Sequence, residues 1–343
     1  MKKSAIYITL LAAVLMAAGC AKSPIAGPND ASARYLDAWI HLYNKANEPD
    51  LHPTGLGIYV MDEKEGDGKT VTDNGYAIID YKVTDLEGNI SSYTDSLTAR
   101  QLGTYSRTSY YGPRVWLTID ETIQAGLQDA IVNMKVGGYK KVLIPSWLMT
   151  YSKYSSQEEY MKNSSDFSNA IYEFTIRDFT DSIDVWEIDS IEKYIVKEYG
   201  NLKSFSNDST GFYYRQTIAP VSDQAFKSDT TIYINYTGKL LNGLVFDTTI
   251  ERIAKDNGLY DAGKTYGPVS VKWGENYTDL TLGSGESSVI TGFALTLWQM
   301  KAMESGIGIF YSPLGYSYSG SEPSIPPYAP LIFEIEIVEE PEE

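Results

Sequence analysis

An internal repeat is the feature that most constrains how this chain of 343 residues can fold. Three pairs of segments correspond in the same order along the two halves: Ile78–Tyr81 with Ile232–Tyr236, Gly126–Met134 with Gly292–Met300, and Ala170–Phe174 with Ala329–Phe333. The two copies are offset by roughly 160 residues, which is the size of one ordinary domain. The repeat therefore predicts two copies of the same domain, one in each half of the chain.

Within each copy, the pattern is strand-like at the ends and helical in the middle. Residues 332–338 place Glu334 and Glu336 on one face and apolar side chains on the other, as in a strand that buries one side. Residues 289–303 carry apolar side chains at helical spacing, and Gly306 follows as a stop signal. This order predicts an α+β fold, in which each domain is a twisted antiparallel β-sheet wrapped around one short α-helix.

The segments between and before the copies have helical patterns of their own. Tyr35, Trp39 and Tyr43 recur every four residues. Ile188, Ile191 and Ile195 recur after three and then four residues, and both patterns are typical of one face of a helix. The resulting organisation is an N-terminal helix at 33–50, a first domain at 51–182, a helical linker at 183–209 and a second domain at 210–343.

The first 19 residues have the pattern of an export signal. Lys2 and Lys3 form a basic start, residues 6–18 form an apolar run, and Ala17–Cys20 forms a small-residue cleavage site. This site resembles the lipobox of bacterial lipoproteins, which implies that Cys20 is lipidated and that residues 20–32 form a tether. We therefore expect a protein anchored by its lipid in the bacterial cell envelope, on the periplasmic or surface face of the outer membrane. The alternative is plain secretion after cleavage near Cys20.

Composition excludes several classes of function. The formal net charge of −17 repels phosphate backbones and anionic lipid headgroups, so we expect no nucleic acid as a partner and membrane attachment only through the lipid. The single cysteine leaves no disulfide or thiolate metal site. His41 and His52, the only histidines, lie together near the N-terminus and far from any hydrolase triad. We expect neither a metal nor a cofactor.

The second copy contains a series of motifs that match a known family. They are Asn235–Asp247, Leu280–Gly283, Val289–Phe293, Ser312–Tyr316, Ile325–Pro327 and Leu331–Glu336. Together they resemble FKBP-type peptidyl-prolyl cis/trans isomerases from about Phe212 to Glu339. The resemblance implies two FKBP-like domains, of which the second is the better match.

The resemblance also implies roles for individual residues. Those that wall the proline ring of the substrate would be Tyr236, Phe246, Val289, Ile290, Phe293 and Phe333. The backbone N–H of Ile290 and the hydroxyl of Tyr316 would hold substrate carbonyls. Asp247 would orient Tyr236 and add a local electric field that acts on the rotating carbonyl. Ile325 would close the rim of the pocket.

The second copy departs from the family pattern in three places. Phe293 replaces the tryptophan that usually forms the pocket floor. The segment 313–326 is one residue shorter than is common, so Tyr318 is an alternative to Tyr316 as the rim hydroxyl. Residues 248–278 contain an insertion of roughly twenty residues beside the pocket, and a long loop in a compact domain is usually functional.

The first copy keeps the skeleton of the fold and loses the pocket. Ser91 and Ser92 stand at the positions of Phe246 and Asp247, and Leu127 stands at the position of the pocket floor. We predict that this domain binds or scaffolds without catalysis.

The sequence therefore predicts a peptidyl-prolyl cis/trans isomerase, active in its second domain only, that assists the folding of exported proteins. Its partners would be proline-containing segments of those proteins. The alternative is a non-catalytic, chaperone-like lipoprotein that binds peptides through the same fold. A glycan-binding role, suggested by the 28 tyrosines, has no motif behind it.

Overall fold

The computed structural model describes residue 27 and residues 29–164, 168–285 and 287–342. The predicted export signal, Cys20 and the tether as far as residue 26 lie outside the described residues. Within the part that is described, no helix is both long enough and apolar enough to cross a bilayer.

The first domain is a six-stranded antiparallel sheet with short helices against it. Its strands are β1 (Tyr59–Lys64), β2 (Tyr76–Thr84), β3 (Ile90–Tyr93), β4 (Arg114–Leu117), β5 (Tyr139–Ile144) and β6 (Ala170–Thr180). Its helices are α1 (Asp30–Ala46), α2 (Ser96–Gln101), α3 (Ala125–Ile131) and α4 (Gln157–Asn163). The strands lie in the order β1–β5–β6–β2–β3, and β4 also pairs with β2. Helix α1 buries Leu36 in the core of this domain, and Trp39 Nε1 donates a hydrogen bond of 2.9 Å to the carbonyl of Leu86.

The second domain repeats this topology. After the linker helix α5 (Ile183–Tyr199) come strands β7 (Ser206–Ser209), β8 (Phe212–Ile218), β9 (Thr231–Leu240), β10 (Val245–Thr248), β11 (Val269–Lys272), β12 (Thr281–Leu282), β13 (Ser287–Ser288), β14 (Ser305–Phe310) and β15 (Leu331–Val338), with helices α6 (Glu251–Asn257) and α7 (Thr291–Gln299). Strands β8–β14–β15–β9 follow the same order as β1–β5–β6–β2, and β10 and β11 both pair with β9. The predicted α+β fold in two copies, each an antiparallel sheet around a short helix, is confirmed.

A glycine in the same place lets the central helix of each copy approach the sheet closely. A Cβ atom at Gly126 would lie 2.5 Å from Cγ2 of Ile144, and one at Gly292 would lie 2.3 Å from Cδ2 of Phe310. Both distances are far below van der Waals contact, so a side chain at either position would push the helix away from the strand end. This close approach explains why the repeat preserves these glycines.

The pairing register of the last strand in each copy, β6 and β15, corrects one of the residue matches in the predicted repeat. Tyr81 pairs with Phe174, whereas its counterpart Tyr236 pairs with Ile335. Phe174 therefore corresponds to Ile335, and the sequence match of Phe174 with Phe333 is wrong by two positions. A shift of two residues keeps every side chain on the same face of the sheet, which is why the apolar pattern alone did not reveal it.

The insertion beside the pocket is present in both copies. Eighteen positions separate Thr94 from Gly112 and also Thr249 from Gly267, and in each copy the glycine N–H donates a 2.8 Å hydrogen bond to the threonine carbonyl. Each insertion contains a short helix and a stacked tyrosine pair, with ring centroids 5.4 Å apart for Tyr105–Tyr111 and 5.6 Å apart for Tyr260–Tyr266. The insertion is thus part of the repeated domain rather than an addition to the second copy.

Helix α5 packs on the outer face of the second sheet. Ile191 and Ile195 are fully buried there in a cluster whose strand members are Tyr213, Ile307, Ile309 and Ile332. The carboxylate of Glu187 is also buried and accepts hydrogen bonds from the backbone N–H of Ser312 at 2.5 Å and from its hydroxyl at 2.7 Å. These contacts fix the linker against the second domain.

Several bounds differ from the predictions. Helix α1 begins at Asp30, inside the predicted tether, and ends at Ala46. Helix α7 is limited to residues 291–299 because Met300 is already extended. The end of the predicted linker contains β7, which extends the second sheet by pairing with β8.

Replacing Gly292 with alanine tests the close approach of α7 to the sheet. Alanine favours a helix by about 1 kcal/mol over glycine, but overpacking against Phe310 costs about 1–3 kcal/mol, so we expect net destabilisation. The readout is the denaturant midpoint of the second domain. Gly285→Ala is the control, because its Cβ would meet nothing closer than 3.9 Å. A midpoint for Gly292→Ala at or above that of the unmutated chain would contradict this account.

The buried carboxyl group of Glu187 should make the stability of the protein depend on pH. Burial, opposed by the two hydrogen bonds from Ser312, raises the pKa of Glu187 from 4.5 to about 7. The folded state then binds more protons at Glu187 than the unfolded state between these values. The contribution of Glu187 to stability is therefore fully present below pH 4.5 and is lost as the pH rises through 7, by up to about 3 kcal/mol. We expect Glu187→Gln to flatten this fall. Denaturant midpoints at pH 5, 6, 7 and 8 measure it, and parallel profiles for the two proteins would show that Glu187 is not the cause.

Candidate active site

Phe333 is the centre of an aromatic cluster on the helix side of the second sheet. Its ring centroid lies 5.0 Å from that of Phe293, 5.6 Å from Phe246 and 6.1 Å from Tyr236. The rings of Phe293 and Phe246 meet Phe333 at interplanar angles of 83° and 75°, the edge-to-face geometry that aromatic quadrupoles prefer. The packing holds four aromatic walls of one cavity at fixed positions.

Gly238 makes room for this cluster. It pairs with Phe333 across β9 and β15, and a Cβ atom there would lie 2.5 Å from Phe246 and 2.9 Å from Phe333. Only glycine leaves both rings in place. The corresponding position in the first copy is Val83, opposite Tyr172, where no phenylalanine needs the space.

Asp247 lies at the edge of the cavity in a network of donors. The hydroxyl of Tyr236 donates to Oδ2 at 2.6 Å, and the backbone N–H of Thr248 donates to Oδ1 at 2.9 Å. The Nζ of Lys264 lies 3.0 Å from Oδ1. Burial, and then the charge of Asp247, raises the pKa of Tyr236, so this phenol stays protonated over the physiological pH range.

The rim of the cavity comes from the segment that follows β14. Tyr316 is 37% exposed, and burial, with a smaller contribution from Asp247, raises the pKa of its hydroxyl. Ile325 is held over the cavity by paired backbone hydrogen bonds with Ser321, at 2.7 and 2.9 Å. The backbone N–H of Ile290, at the N-terminal end of α7, donates no hydrogen bond within the described residues and is free to hold a ligand carbonyl.

The structure brings nine of the ten predicted pocket residues together around a cavity of about 290 Å³. They are Tyr236, Phe246, Asp247, Val289, Ile290, Phe293, Tyr316, Ile325 and Phe333. The tenth, Tyr318, does not line this cavity; it is 71% exposed and lies along a cavity of the first domain. Of the two alternatives for the rim hydroxyl, the geometry places Tyr316 at the second-domain cavity.

Sequence reasoning missed several residues at this site. Leu282, Ser288, Ser321 and Ser324 also line the cavity. Lys264 was missed because it belongs to the insertion, seventeen positions after Asp247, and only the fold of the insertion brings the two charges together. The side chains of Lys264 and Asp247 are 45% and 41% exposed, so the ion pair contributes about 0–1 kcal/mol to stability. Its main effect is that the positive charge of Lys264 offsets the negative charge of Asp247 at the cavity edge.

The comparisons with known proteins concern this second half of the chain. The family model described as FKBP-type peptidyl-prolyl cis-trans isomerase matches residues 222–338. A probable FKBP-type peptidyl-prolyl cis-trans isomerase of Haemophilus influenzae is 29% identical over 142 residues, which cover 41% of this chain and 48% of that protein. Peptidyl-prolyl cis-trans isomerase FKBP15-2 of Arabidopsis thaliana is 34% identical over 115 residues, which cover 34% of this chain and 55% of that protein.

Among solved structures, FkpA from Escherichia coli is similar at 23% identity, with a TM-score of 0.31, over 46% of this chain and 60% of that chain. The alignments span about half the length of the two curated relatives. The family match covers the sheet from β9 to β15, helix α7 and the whole cavity described above. Residues 222–338 of this chain are therefore a domain of the FKBP-type peptidyl-prolyl cis-trans isomerase family.

Proposed function

We propose that the second domain catalyses cis/trans isomerisation of X–Pro peptide bonds. The observation that carries this proposal is the convergence of Tyr236, Phe246, Asp247 and Phe333 around one open cavity that is also lined by Ile290, whose backbone N–H is free. The barrier of about 18–20 kcal/mol arises from amide resonance, which places negative charge on the carbonyl oxygen and double-bond character in the C–N bond. A cavity walled by aromatic rings disfavours that charge-separated planar form more than it disfavours the twisted amide.

Each residue has a defined task in this mechanism. The rings of Phe246, Phe293 and Phe333 hold the proline and exclude water. The N–H of Ile290 donates to a carbonyl of the bound peptide, and the protonated hydroxyl of Tyr316 donates to another. Asp247 fixes Tyr236 through their 2.6 Å hydrogen bond, so that this wall does not move when the amide twists.

The insertion bears on the choice between catalysis and binding alone. An insertion that filled the cleft would favour a domain that binds peptides without catalysis. None of residues 250–278 lines the cavity, and Lys264 of the insertion contacts the site at its edge, on Asp247. The open cavity supports turnover over permanent occlusion.

We further propose that the protein works on exported polypeptides while held by a lipid on Cys20. The support is the basic start, the apolar run and the small residues before Cys20. Proline isomerisation is slow enough to limit folding after export, so a catalyst fixed at the envelope has a function there.

Isomerase activity is tested on the mature chain with proline tetrapeptides in a protease-coupled assay. We expect acceleration by the unmutated chain and a loss of at least tenfold in kcat/KM for Phe246→Ala and for Asp247→Ala, because one removes a wall and the other frees Tyr236. Ser91→Ala and Ser92→Ala, the same positions in the first domain, are the matched controls and should keep full activity. No acceleration by a chain shown to be folded would favour the non-catalytic, peptide-binding alternative.

The lipid anchor is tested in a bacterial host fed with a labelled fatty acid. The unmutated protein is expected to incorporate the label and to sediment with membranes, whereas Cys20→Ala should do neither, because it lacks the thiol that is acylated. Release of the unmutated protein into the medium without label would instead indicate plain secretion.

A further inference from the structure

The first domain has a cavity at the place that corresponds to the isomerase pocket. Its volume is about 500 Å³, against about 290 Å³ for the second-domain cavity. Tyr81 and Tyr172 line it at the positions of Tyr236 and Phe333, and Ser91 lines it where the second copy has a phenylalanine. The fold of the first domain therefore preserves a binding cleft although the catalytic residues are absent.

The chemistry of this cleft favours an uncharged peptide. No acidic or basic side chain lines it; the lining combines tyrosine and tryptophan rings and aliphatic side chains with serine, threonine and glutamine side chains. Rings that offer a large rigid surface, together with small hydroxyls that adapt their hydrogen bonds, are the composition by which paratopes bind polypeptides. Trp116 lies at 5.2 Å from the ring of Tyr81, and Gln124 Nε2 donates to the hydroxyl of Tyr151 at 3.1 Å, so part of this surface is already ordered.

One segment of the second domain forms a wall of both cavities. Tyr316 and Ile325 line the isomerase cavity, whereas Tyr318 and Pro327, each two residues further along, line the first-domain cavity. Two residues span at most about 7 Å, so the two cavities adjoin along a single stretch of chain. A peptide of modest length can therefore reach from one cavity into the other.

The shared wall is held firmly between the domains. The backbone N–H of Tyr110 donates to the carbonyl of Pro323 at 2.8 Å, and Arg114 forms an ion pair with Glu322. The ring of Tyr328 meets that of Tyr76 at a centroid distance of 5.7 Å. These contacts come from first-domain residues, so the relative position of the two cavities is fixed by direct bonds.

We propose that the first-domain cavity is a second peptide subsite, which takes an uncharged, extended segment of the same polypeptide whose proline lies in the isomerase cavity. This inference rests on the proposed function of the second domain and adds a substrate class to it: clients in which a proline is followed or preceded at short range by an uncharged segment. Linking the two segments makes the second binding event intramolecular, so affinity rises without a new contact at the proline.

The test measures binding of labelled peptides to the full mature chain. One peptide is an uncharged X–Pro tetrapeptide; the others extend it by two, four, six or eight tyrosine, glycine and serine residues on either side. We expect at least tenfold tighter binding for one direction and length of extension. Thr122→Trp, which adds a large ring at an exposed lining position, should abolish that gain, and Tyr151→Ser should reduce it at least fivefold.

Controls separate binding from folding and from catalysis. Tyr151 is 49% exposed and Tyr35 is 46% exposed, so Tyr35→Ser removes a comparable ring that lines neither cavity and should keep the gain. Both first-domain variants should retain the tetrapeptide turnover of the unmutated chain. If the tetrapeptide is not turned over but extended peptides still bind in a way that Thr122→Trp abolishes, the isomerase proposal fails and the peptide subsite stands.

Three outcomes would overturn the inference. The first is no gain at any extension, and the second is a gain that neither Thr122→Trp nor Tyr151→Ser alters. The third is tighter binding of a neutral oligosaccharide such as maltohexaose that Tyr151→Ser abolishes, which would assign the cleft to a glycan.

Discussion

The pairing of β15 with β9 is the constraint on which the rest of the second domain depends. Its register sets Phe333 opposite Gly238, which places the aromatic cluster on the helix side of the sheet. The next residue along, Ile332, then points to the opposite face and joins the cluster that receives helix α5. One register therefore fixes both the cavity and the docking of the linker, and a slip by one residue would exchange the two faces.

The two copies show which parts of the fold belong to the scaffold and which belong to the site. The glycines that admit the central helix and the insertion with its tyrosine pair occur in both. The ring of Phe246, the carboxylate of Asp247 and the glycine that makes room for them occur in the second copy alone, and Ser91, Ser92 and Val83 take their positions in the first. These changes are coupled, because a side chain at the glycine position excludes the phenylalanine ring. The first domain thus lacks these three residues as a set while it keeps a cleft.

The electrostatics of the site depend on parts of the chain that are distant in sequence. Asp247 accepts a hydrogen bond from Tyr236, eleven positions before it, and pairs with Lys264, seventeen positions after it. Glu187, in the linker, is anchored by Ser312 at the start of the segment that walls both cavities. The linker helix, the rim of the isomerase cavity and the first domain are consequently joined through one segment, residues 312–328.

The sequence by itself determined the repeat, the α+β class, the helical linker and nine residues of the cavity, because these follow from local periodicity and from motifs of fixed spacing. Alternation of apolar residues could not determine the register of β6, since a shift of two preserves the face that is buried. It also could not show that Lys264 neutralises Asp247, or that Tyr318 faces the first domain while Tyr316 faces the second. Those assignments depend on how loops fold back and how two domains dock, and such contacts join residues that no local pattern connects.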